Sequence, residues 1–206
     1  MYHILGKKSY LFYFTIERMR IMGKYSISYL LKDIDCDDKT KEEIIDDYLF
    51  ALKQQLIKKD KKEVKDILLS ELNYQQRGKL MSCRCYDMNI KEGDLCYIDF
   101  GKAYNQETGY MHFGLVIRIF NSKALVIPMT SNSVAYNSAY DRYDNPEGIT
   151  HLMRLGKVDG LFKYSVLFLN DAKFINTARI IDVKSHINVN GKLFNEIMLR
   201  FRAIIH

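Results

Sequence analysis

Residues 112–130 read HFGLVIRIFNSKALVIPMT, two apolar stretches separated by the polar triplet at 121–123. Apolar, β-branched residues on either side of a short polar turn are typical of an antiparallel β-hairpin. A three-residue turn is expected because it aligns the apolar residues of both strands on one face. A two-residue turn would pair Leu125 with Arg118 and is rejected on that ground. The expected pairs are Ile119 with Leu125, Ile117 with Ile127, and Leu115 with Met129.

This register predicts a small polar hollow at the open end of the hairpin. Thr130 is expected opposite Gly114, with His112 as its diagonal neighbour, roughly 7–8 Å away. Because Gly114 has no side chain, space is expected between the two. An imidazole and the hydroxyls of Thr130 and Ser131 around such a hollow can bind a phosphate group.

Further strand signals surround the hairpin. Residues 93–100 predict an earlier strand, which is followed by a polar loop over 102–110, and a longer polar loop covers 131–148. Many short strands with one terminal helix predict an α+β domain built on a small, strongly curved barrel. The remaining predicted elements are strands at 151–155, 165–169 and 178–181, and a closing amphipathic helix capped by Asn190.

The chain before residue 89 has a helical character. Thr40 with Glu43, and Asp60 with Glu63, have the spacing of helix-capping boxes, and each pair precedes an amphipathic pattern. These patterns predict helices over about 41–58 and from Asp60 to near Gly78. We therefore predict a helical N-terminal extension, residues 1–88, and a barrel domain, residues 89–206.

The composition excludes several classes of protein. The 206 residues are 48% hydrophobic and 27% charged, which is globular, and the net charge of +6 is weak for a dedicated DNA-binding protein. No apolar run approaches the roughly 18 residues of a membrane span, and the segment after Lys7-Lys8 is too short for a signal peptide. The sequence leaves open whether translation starts at Met1 or Met22. The four cysteines form no CxxC pair, so we expect reduced thiols: Cys36, Cys83, Cys85 and Cys96. A cytoplasmic protein with no membrane association is expected.

Several motifs follow one another in the order found in the MazF/PemK toxin family. They are GDLCYIDF at 93–100, ETG at 107–109, LVI at 115–117 and IPMTS at 127–131, and the segment 170–175 with the closing helix also fits. The chain resembles this family over about residues 90–206. The resemblance implies an SH3-like barrel that acts as a metal-independent endoribonuclease, usually the toxin of a toxin–antitoxin pair. It also implies a homodimer, a cognate antitoxin as partner and no cofactor.

The same resemblance implies roles for two positions. The catalytic threonine of the family corresponds to Thr130, whereas the catalytic arginine falls at His112-Phe113, so one of the two principal residues differs. The ToxN-type RNA toxins of the same fold place a T-S-x-K motif here. This chain reads TSNS at 130–133 and lacks the lysine.

RNA cleavage without a metal requires a base for the 2′-hydroxyl, donors to the phosphoryl oxygens and an acid for the leaving 5′-oxygen. His112 is expected to act as base or acid, and Thr130 and Ser131 as donors. The expected products carry a 2′,3′-cyclic phosphate and a 5′-hydroxyl. Cations and stacking rings on the flanking loops are expected to bind single-stranded RNA: Lys102, Arg142, Arg154, Tyr136, Tyr140 and Tyr143.

Each of these predictions has an alternative. His112 can be a strand-end histidine bonded to the backbone, Thr130-Ser131 an ordinary strand terminus, and the tyrosine loop a packed surface loop. With the family arginine missing, the domain can also be a non-catalytic module that binds RNA or a protein. The helical extension can cover the site as an antitoxin does, or mediate dimerisation.

Overall fold

The computed structural model describes residues 39–205 of the chain. The predictions for Lys7-Lys8, Met22 and Cys36 lie outside these residues. The chain divides into two compact units between Lys58 and Lys59. The predicted boundary near residue 88, between the N-terminal extension and the barrel domain, stays a prediction. No helix within residues 39–205 combines the length and apolar character needed to cross a bilayer.

Both N-terminal helices begin where the capping boxes predict them, with α1 at Lys41–Ile57 and α2 at Lys61–Arg77. Before α1, the Thr40 hydroxyl accepts a hydrogen bond from the Glu43 amide (3.3 Å), and the Glu43 carboxylate accepts one from the Thr40 amide (2.9 Å). Asp60 and Glu63 repeat this pair of bonds before α2. Such reciprocal bonds satisfy amides that have no partner within the helix.

Buried polar contacts attach α2 to the end of the first strand. Asp99, which is buried, accepts hydrogen bonds from Ser70 Oγ (2.8 Å) and Asn73 Nδ2 (2.9 Å) of α2. The same carboxylate accepts the amide of Gly101 (2.9 Å). Asp99 therefore has a structural role, as expected for an aspartate at a strand end, and it links the helix, the strand and the following loop.

The strands form one seven-stranded sheet, in which the recorded pairs are all antiparallel. The strand order is β4-β5-β3-β2-β1-β7, with β6 also paired to β3, so β4, β6 and β7 each pair with one other strand of the described sheet. The predicted α+β class, an antiparallel sheet with a C-terminal helix after N-terminal helices, is confirmed. The strands are β1 (Asp94–Asp99), β2 (Met111–Phe120), β3 (Lys123–Thr130), β4 (Leu152–Gly156), β5 (Ser165–Phe168), β6 (Lys173–Asn176) and β7 (Ile180–His186).

The register predicted for the β2–β3 hairpin is wrong. The turn has two residues, because Phe120 pairs with Lys123 and Arg118 pairs with Leu125, the pairing that sequence reasoning rejected. Asn121 has a φ of 52°, the left-handed conformation that tight hairpin turns require and that asparagine tolerates. A register shift at Ile117, between Val116 and Arg118, then restores the apolar alignment further along, where Leu115 pairs with Ile127.

Two apolar layers cover the sheet, which explains the run of buried residues in β2. The larger layer includes Leu115, Ile127 and Met129 and is closed by helix α4 (Lys192–Ile205) through Phe194 and Ile197. The opposite layer contains Val116, Val126, Ile98 and Phe100, with Met88 and Ile90 packed against it. Because side chains alternate along a strand, both faces of a doubly covered strand are apolar.

The short elements differ from their predicted bounds by a few residues. Helix α3 (Ser133–Ser138) lies inside the predicted loop over 131–148, capped by Asn132. The strand predicted at 178–181 begins as a 3-10 turn at Thr177–Arg179 and continues to His186. Strand β6 was not predicted, because its four residues carry little alternation.

Candidate functional site

His112 lies near the start of β2 with one ring nitrogen bonded to the backbone. Its Nδ1 is 2.8 Å from the carbonyl oxygen of Gly109, in the loop that precedes the strand. A carbonyl oxygen can only accept, so Nδ1 carries the hydrogen in this bond. In the neutral ring Nε2 therefore keeps its lone pair and is the nitrogen that can take a proton. The backbone bond of the alternative interpretation is present, and it orients the ring rather than occupying both nitrogens.

Thr130 lies closer to His112 along the sheet than the sequence predicts. Phe113 pairs with Met129, so continuing this register by one residue places His112 directly opposite Thr130. Directly opposite residues have Cβ atoms about 4.5–5.5 Å apart, whereas diagonal neighbours are about 7–8 Å apart. The Thr130 hydroxyl accepts the Asn132 amide (3.2 Å), so its own hydrogen can be donated to another oxygen. Ser131 is exposed beside it.

The predicted hollow at Gly114 is wrong. Gly114 pairs with Pro128, and a Cβ atom built on it would lie 3.0 Å from Ile98 Cδ1 and 3.2 Å from the Phe100 ring. These apolar groups occupy the space that the missing side chain leaves. The space at Gly114 is therefore filled by apolar side chains and offers no pocket for a phosphate.

The loop between β1 and β2, residues 101–110, is held by two charged residues that the sequence reasoning missed. The Asp171 carboxylate accepts the Thr108 amide (2.6 Å), and Lys173 Nζ donates to the Thr108 carbonyl (3.3 Å). Asp171 and Lys173 pair with each other at 2.9 Å. Thr108 precedes Gly109, whose carbonyl orients His112. The only sequence signal for this arrangement was that segment 170–175 fits the motif series.

Arg154 holds the folded loop between β3 and β4, residues 131–148. Its Nε donates to the Tyr136 carbonyl (2.8 Å), and its Nη1 lies 2.7 and 2.8 Å from the two oxygens of Asp144. The side chain is only 14% exposed and lies over the Tyr136 ring. These contacts show Arg154 supporting the loop, and its predicted RNA contact stays a prediction.

The other predicted RNA-binding residues fall into two groups. Tyr136 and Tyr140 are half-buried; Tyr136 packs on the Tyr164 ring with centroids 5.6 Å apart, and Tyr140 lies beneath Arg200. Three side chains are exposed to solvent instead: Lys102, Arg142 and Tyr143. The β2–β3 register thus puts His112 and Thr130 on neighbouring strands, and the roles predicted for these loop residues stay predictions.

The remaining titratable groups near the sheet are engaged in packing. His186 Nδ1 bonds Asp94 Oδ1 at 2.9 Å, which ties the ends of β1 and β7. Burial raises the pKa of the Cys96 thiol to about 12, so this cysteine stays protonated and unreactive. Within residues 39–205, no group of three or more histidine, cysteine, aspartate or glutamate side chains is arranged to hold a metal ion.

Comparison with known proteins gives a likeness at the level of structure. No protein-family model and no curated protein matches the chain. The solved structure of MazF (Form-I) from Deinococcus radiodurans is 13% identical with a TM-score of 0.44, covering 58% of this chain and 98% of that one. An endoribonuclease in complex with its cognate antitoxin from mycobacterial species is 11% identical, with a TM-score of 0.39 and coverages of 57% and 95%. The Mycobacterium tuberculosis toxin MazF-mt6 is 10% identical, with a TM-score of 0.38 and coverages of 54% and 95%. Two of these three solved structures are of MazF toxins, and all three are at most 13% identical to this chain.

Proposed function

We propose that the chain is a metal-independent endoribonuclease that cuts single-stranded RNA and leaves a 2′,3′-cyclic phosphate and a 5′-hydroxyl. The observation that carries the proposal is the orientation of His112. Its Nδ1 is bonded to the Gly109 carbonyl, which leaves Nε2 as the nitrogen that can take a proton, and the β2–β3 register continued by one residue puts His112 opposite Thr130. Cleavage of RNA through its own 2′-oxygen requires a base and hydrogen-bond donors near the phosphate. An oriented imidazole and hydroxyl groups at the end of one hairpin can supply both.

In the proposed reaction, Nε2 takes the proton of the 2′-hydroxyl and the 2′-oxygen attacks phosphorus. Negative charge then grows on the two non-bridging oxygens, to which Thr130 and Ser131 donate hydrogen bonds. The bond from phosphorus to the 5′-oxygen breaks, and the proton held on Nε2 passes to that oxygen. Hydrogen bonding of Nδ1 to Gly109 stabilises the imidazolium formed between these two steps.

We further propose that the enzyme acts in the cytoplasm as the toxin of a toxin–antitoxin pair. The motif order over residues 93–131 supports this, since the resembling family consists of such toxins. A cognate antitoxin that covers the site and a homodimer are parts of the same proposal. Light scattering on the purified chain tests the dimer: a single species of about 48 kDa, twice the chain mass of 24.2 kDa, is expected.

The proposed function is tested by incubating purified full-length protein with a mixed-sequence single-stranded RNA in excess EDTA. The variants are His112→Ala and, as a matched control, His151→Ala, a second half-buried histidine that lies in the turn before β4. Cutting by the wild type and His151→Ala, and its loss in His112→Ala, is expected. The new 5′ ends should accept phosphate from a polynucleotide kinase without prior phosphatase treatment.

Two other outcomes would contradict parts of this proposal. No cutting by folded wild type, together with retained RNA binding, would favour the non-catalytic module suggested by the absence of the family arginine at His112-Phe113. Cutting by His112→Ala at the wild-type rate would keep the enzyme and remove His112 from the mechanism. Circular dichroism of each variant establishes that it is folded.

A further inference from the structure

The loop between β4 and β5, residues 157–164, presents two aromatic rings to solvent. Phe162 is fully exposed and Tyr164 is 61% exposed, although large aromatic side chains are usually at least partly covered. Lys157 and Lys163 lie in the same loop and are also exposed. Exposed rings alternating with cations are the combination that binds a single-stranded nucleic acid.

Contacts with the rest of the fold hold this loop in place, so the exposure of its two rings is a feature of the folded structure. Val158 is buried and Leu161 packs against the larger apolar layer. Gly160 has a φ of +83°, and a Cβ atom on it would lie 2.9 Å from the Lys184 carbonyl oxygen, so the backbone there runs close against β7. The Ser185 hydroxyl donates to the Asp159 carbonyl and adds a second attachment to β7.

This loop is continuous with the candidate catalytic groups. Thr130 pairs with Val166 of β5, so Tyr164 lies two residues from the position opposite the catalytic threonine. The Tyr164 ring also packs on Tyr136 of α3, in the loop that follows Thr130. From the position opposite Thr130, the chain reaches Tyr164 two residues back and Phe162 after two more.

We propose that Phe162 and Tyr164 form a stacking platform for unpaired bases of single-stranded RNA, beside the bond that is cut. The choice of RNA as the ligand rests on the proposed function. The rings stack on base faces, which every base possesses, so the platform favours single strands over duplexes without reading sequence. Lys157 and Lys163 neutralise the accompanying phosphates, which makes the binding salt-dependent.

The chain contains no tryptophan, so Phe162→Trp introduces a unique fluorophore at the platform. The ligand is a mixed-sequence 2′-O-methyl RNA, which has no free 2′-hydroxyl and stays intact, offered as a single strand or as a duplex. The matched control is Phe120→Trp, an exposed ring at the other end of β2 that packs on Phe174. The single strand is expected to quench Phe162→Trp fluorescence strongly, while the duplex, or the control variant, gives little change.

Affinity provides the second measurement. Fluorescence anisotropy with the labelled single strand should show about tenfold weaker binding for each of Phe162→Ala and Tyr164→Ala, and little change for Phe120→Ala. The platform is overturned if the single strand binds without quenching Phe162→Trp, or if both alanine variants bind as tightly as the wild type. The first of these results is also the one expected if the rings dock a protein partner instead.

Failure of the platform is distinguishable from failure of the proposed function. Cutting of ordinary RNA that depends on His112, without quenching at Phe162→Trp, removes the platform and keeps the enzyme. Quenching without any cutting by the wild type keeps the platform and makes the domain an RNA-binding module.

Discussion

Two long loops flank the candidate site, and they are held in different ways. The loop over 101–110 is fixed through its backbone: the Gly101 amide bonds Asp99 (2.9 Å) and the Thr108 amide bonds Asp171 (2.6 Å). In the loop over 131–148, one guanidinium joins two separate points of the loop, because Arg154 bonds both Tyr136 and Asp144. The first loop supplies the carbonyl that orients His112, whereas the second carries the rings and cations predicted to contact RNA.

The two loops therefore differ in their expected roles: the first positions His112, and the second contacts RNA. Asp99, which is buried, and Asp171, which is mostly covered, hold the chain through backbone amides, and leaving a buried amide unpaired costs about 1–3 kcal/mol. A partly exposed side-chain pair holds a loop less firmly, since solvent screens it and competes for its hydrogen bonds. We therefore expect changes at the first loop to alter stability and kcat, and changes at the second to alter loop order and RNA affinity.

The largest effect is expected at Asp99. Asp99→Ala leaves Ser70, Asn73 and the Gly101 amide without their shared buried acceptor, so the free energy of unfolding should fall by about 3 kcal/mol. Asp99→Asn keeps one acceptor oxygen and should lose less. Urea unfolding followed by circular dichroism measures both values. An Asp99→Ala protein as stable as the wild type would mean that α2 is attached by other contacts.

Next in size is the effect of Asp171→Asn on catalysis. Asparagine keeps one acceptor oxygen but loses the charge, so it cannot bind both the Thr108 amide and Lys173 as the carboxylate does, and the neighbouring Gly109 carbonyl then holds His112 less firmly. We expect kcat to fall about tenfold with little change in KM, since Asp171 acts through the loop rather than on RNA. Asp182→Asn, which disrupts an exposed pair with Lys184, is the control and should leave kcat unchanged.

A loss confined to KM in Asp171→Asn would contradict the positioning role and would place Asp171 or Lys173 among the RNA contacts. The Nδ1 proton of His112, followed by NMR in protein with labelled histidine, gives an independent measurement. Its signal should broaden in Asp171→Asn and stay sharp in Asp182→Asn, because only the first substitution loosens the bond to Gly109.

Arg154→Lys should loosen the second loop without unfolding the protein. An ammonium group cannot reproduce both the Nε bond to Tyr136 and the contact with Asp144, and losing a charge-assisted bond costs about 1–2 kcal/mol. Tryptic cleavage after Arg142 should therefore accelerate roughly fivefold. The matched control is Arg118→Lys, an exposed arginine paired with Glu92. Equal cleavage rates for both variants would remove Arg154 as the support of this loop.

The smallest effect is expected at Asp141, which repeats the carboxylate-to-amide arrangement on the surface. Hydrogen bonds from the Tyr143 and Asp144 amides lower the pKa of the Asp141 carboxyl below its usual value of 3.8. A lowered pKa means that the charged form favours the folded loop, so this contribution is complete above the usual pKa. It is lost as pH falls through the lowered value.

An NMR titration should place the Asp141 midpoint below the usual value of 3.8, with little change in global stability. A midpoint at or above 3.8 would mean that the turn at 141–145 does not persist in solution. This exposed arrangement would then differ from the buried one at Asp99 in structure as well as in energy.

Local signals in the sequence predicted the elements but not their alignment. The capping pairs at Thr40 and Asp60 place both helices because their bonds span three residues. The predicted hairpin register is wrong because the observed register contains a shift at Ile117, which no local sequence pattern indicates. Gly114 was expected to leave a hollow, but Phe100, which directly follows strand β1, fills this space.

The candidate site shows the same division. His112 and Thr130 were identified as a pair from the hairpin alone, because the two strands are adjacent in sequence. Asp171 and Lys173 were missed because they reach Thr108 across 63 and 65 residues. The RNA-binding residues predicted from the tyrosine loop remain predictions, and the structure adds Phe162 and Tyr164 as rings with greater exposure than Tyr136.

The amino-acid sequence by itself determined the helix starts, the apolar strands, the fold class and the identity of the histidine and hydroxyls. These depend on interactions between residues a few positions apart, which composition and spacing record directly. Only the tertiary structure decided which His112 nitrogen is bonded to the backbone, what fills the space at Gly114 and which charges hold the loop over 101–110. Each of those depends on contacts between distant segments, which form only when burial of both sheet faces brings the segments together.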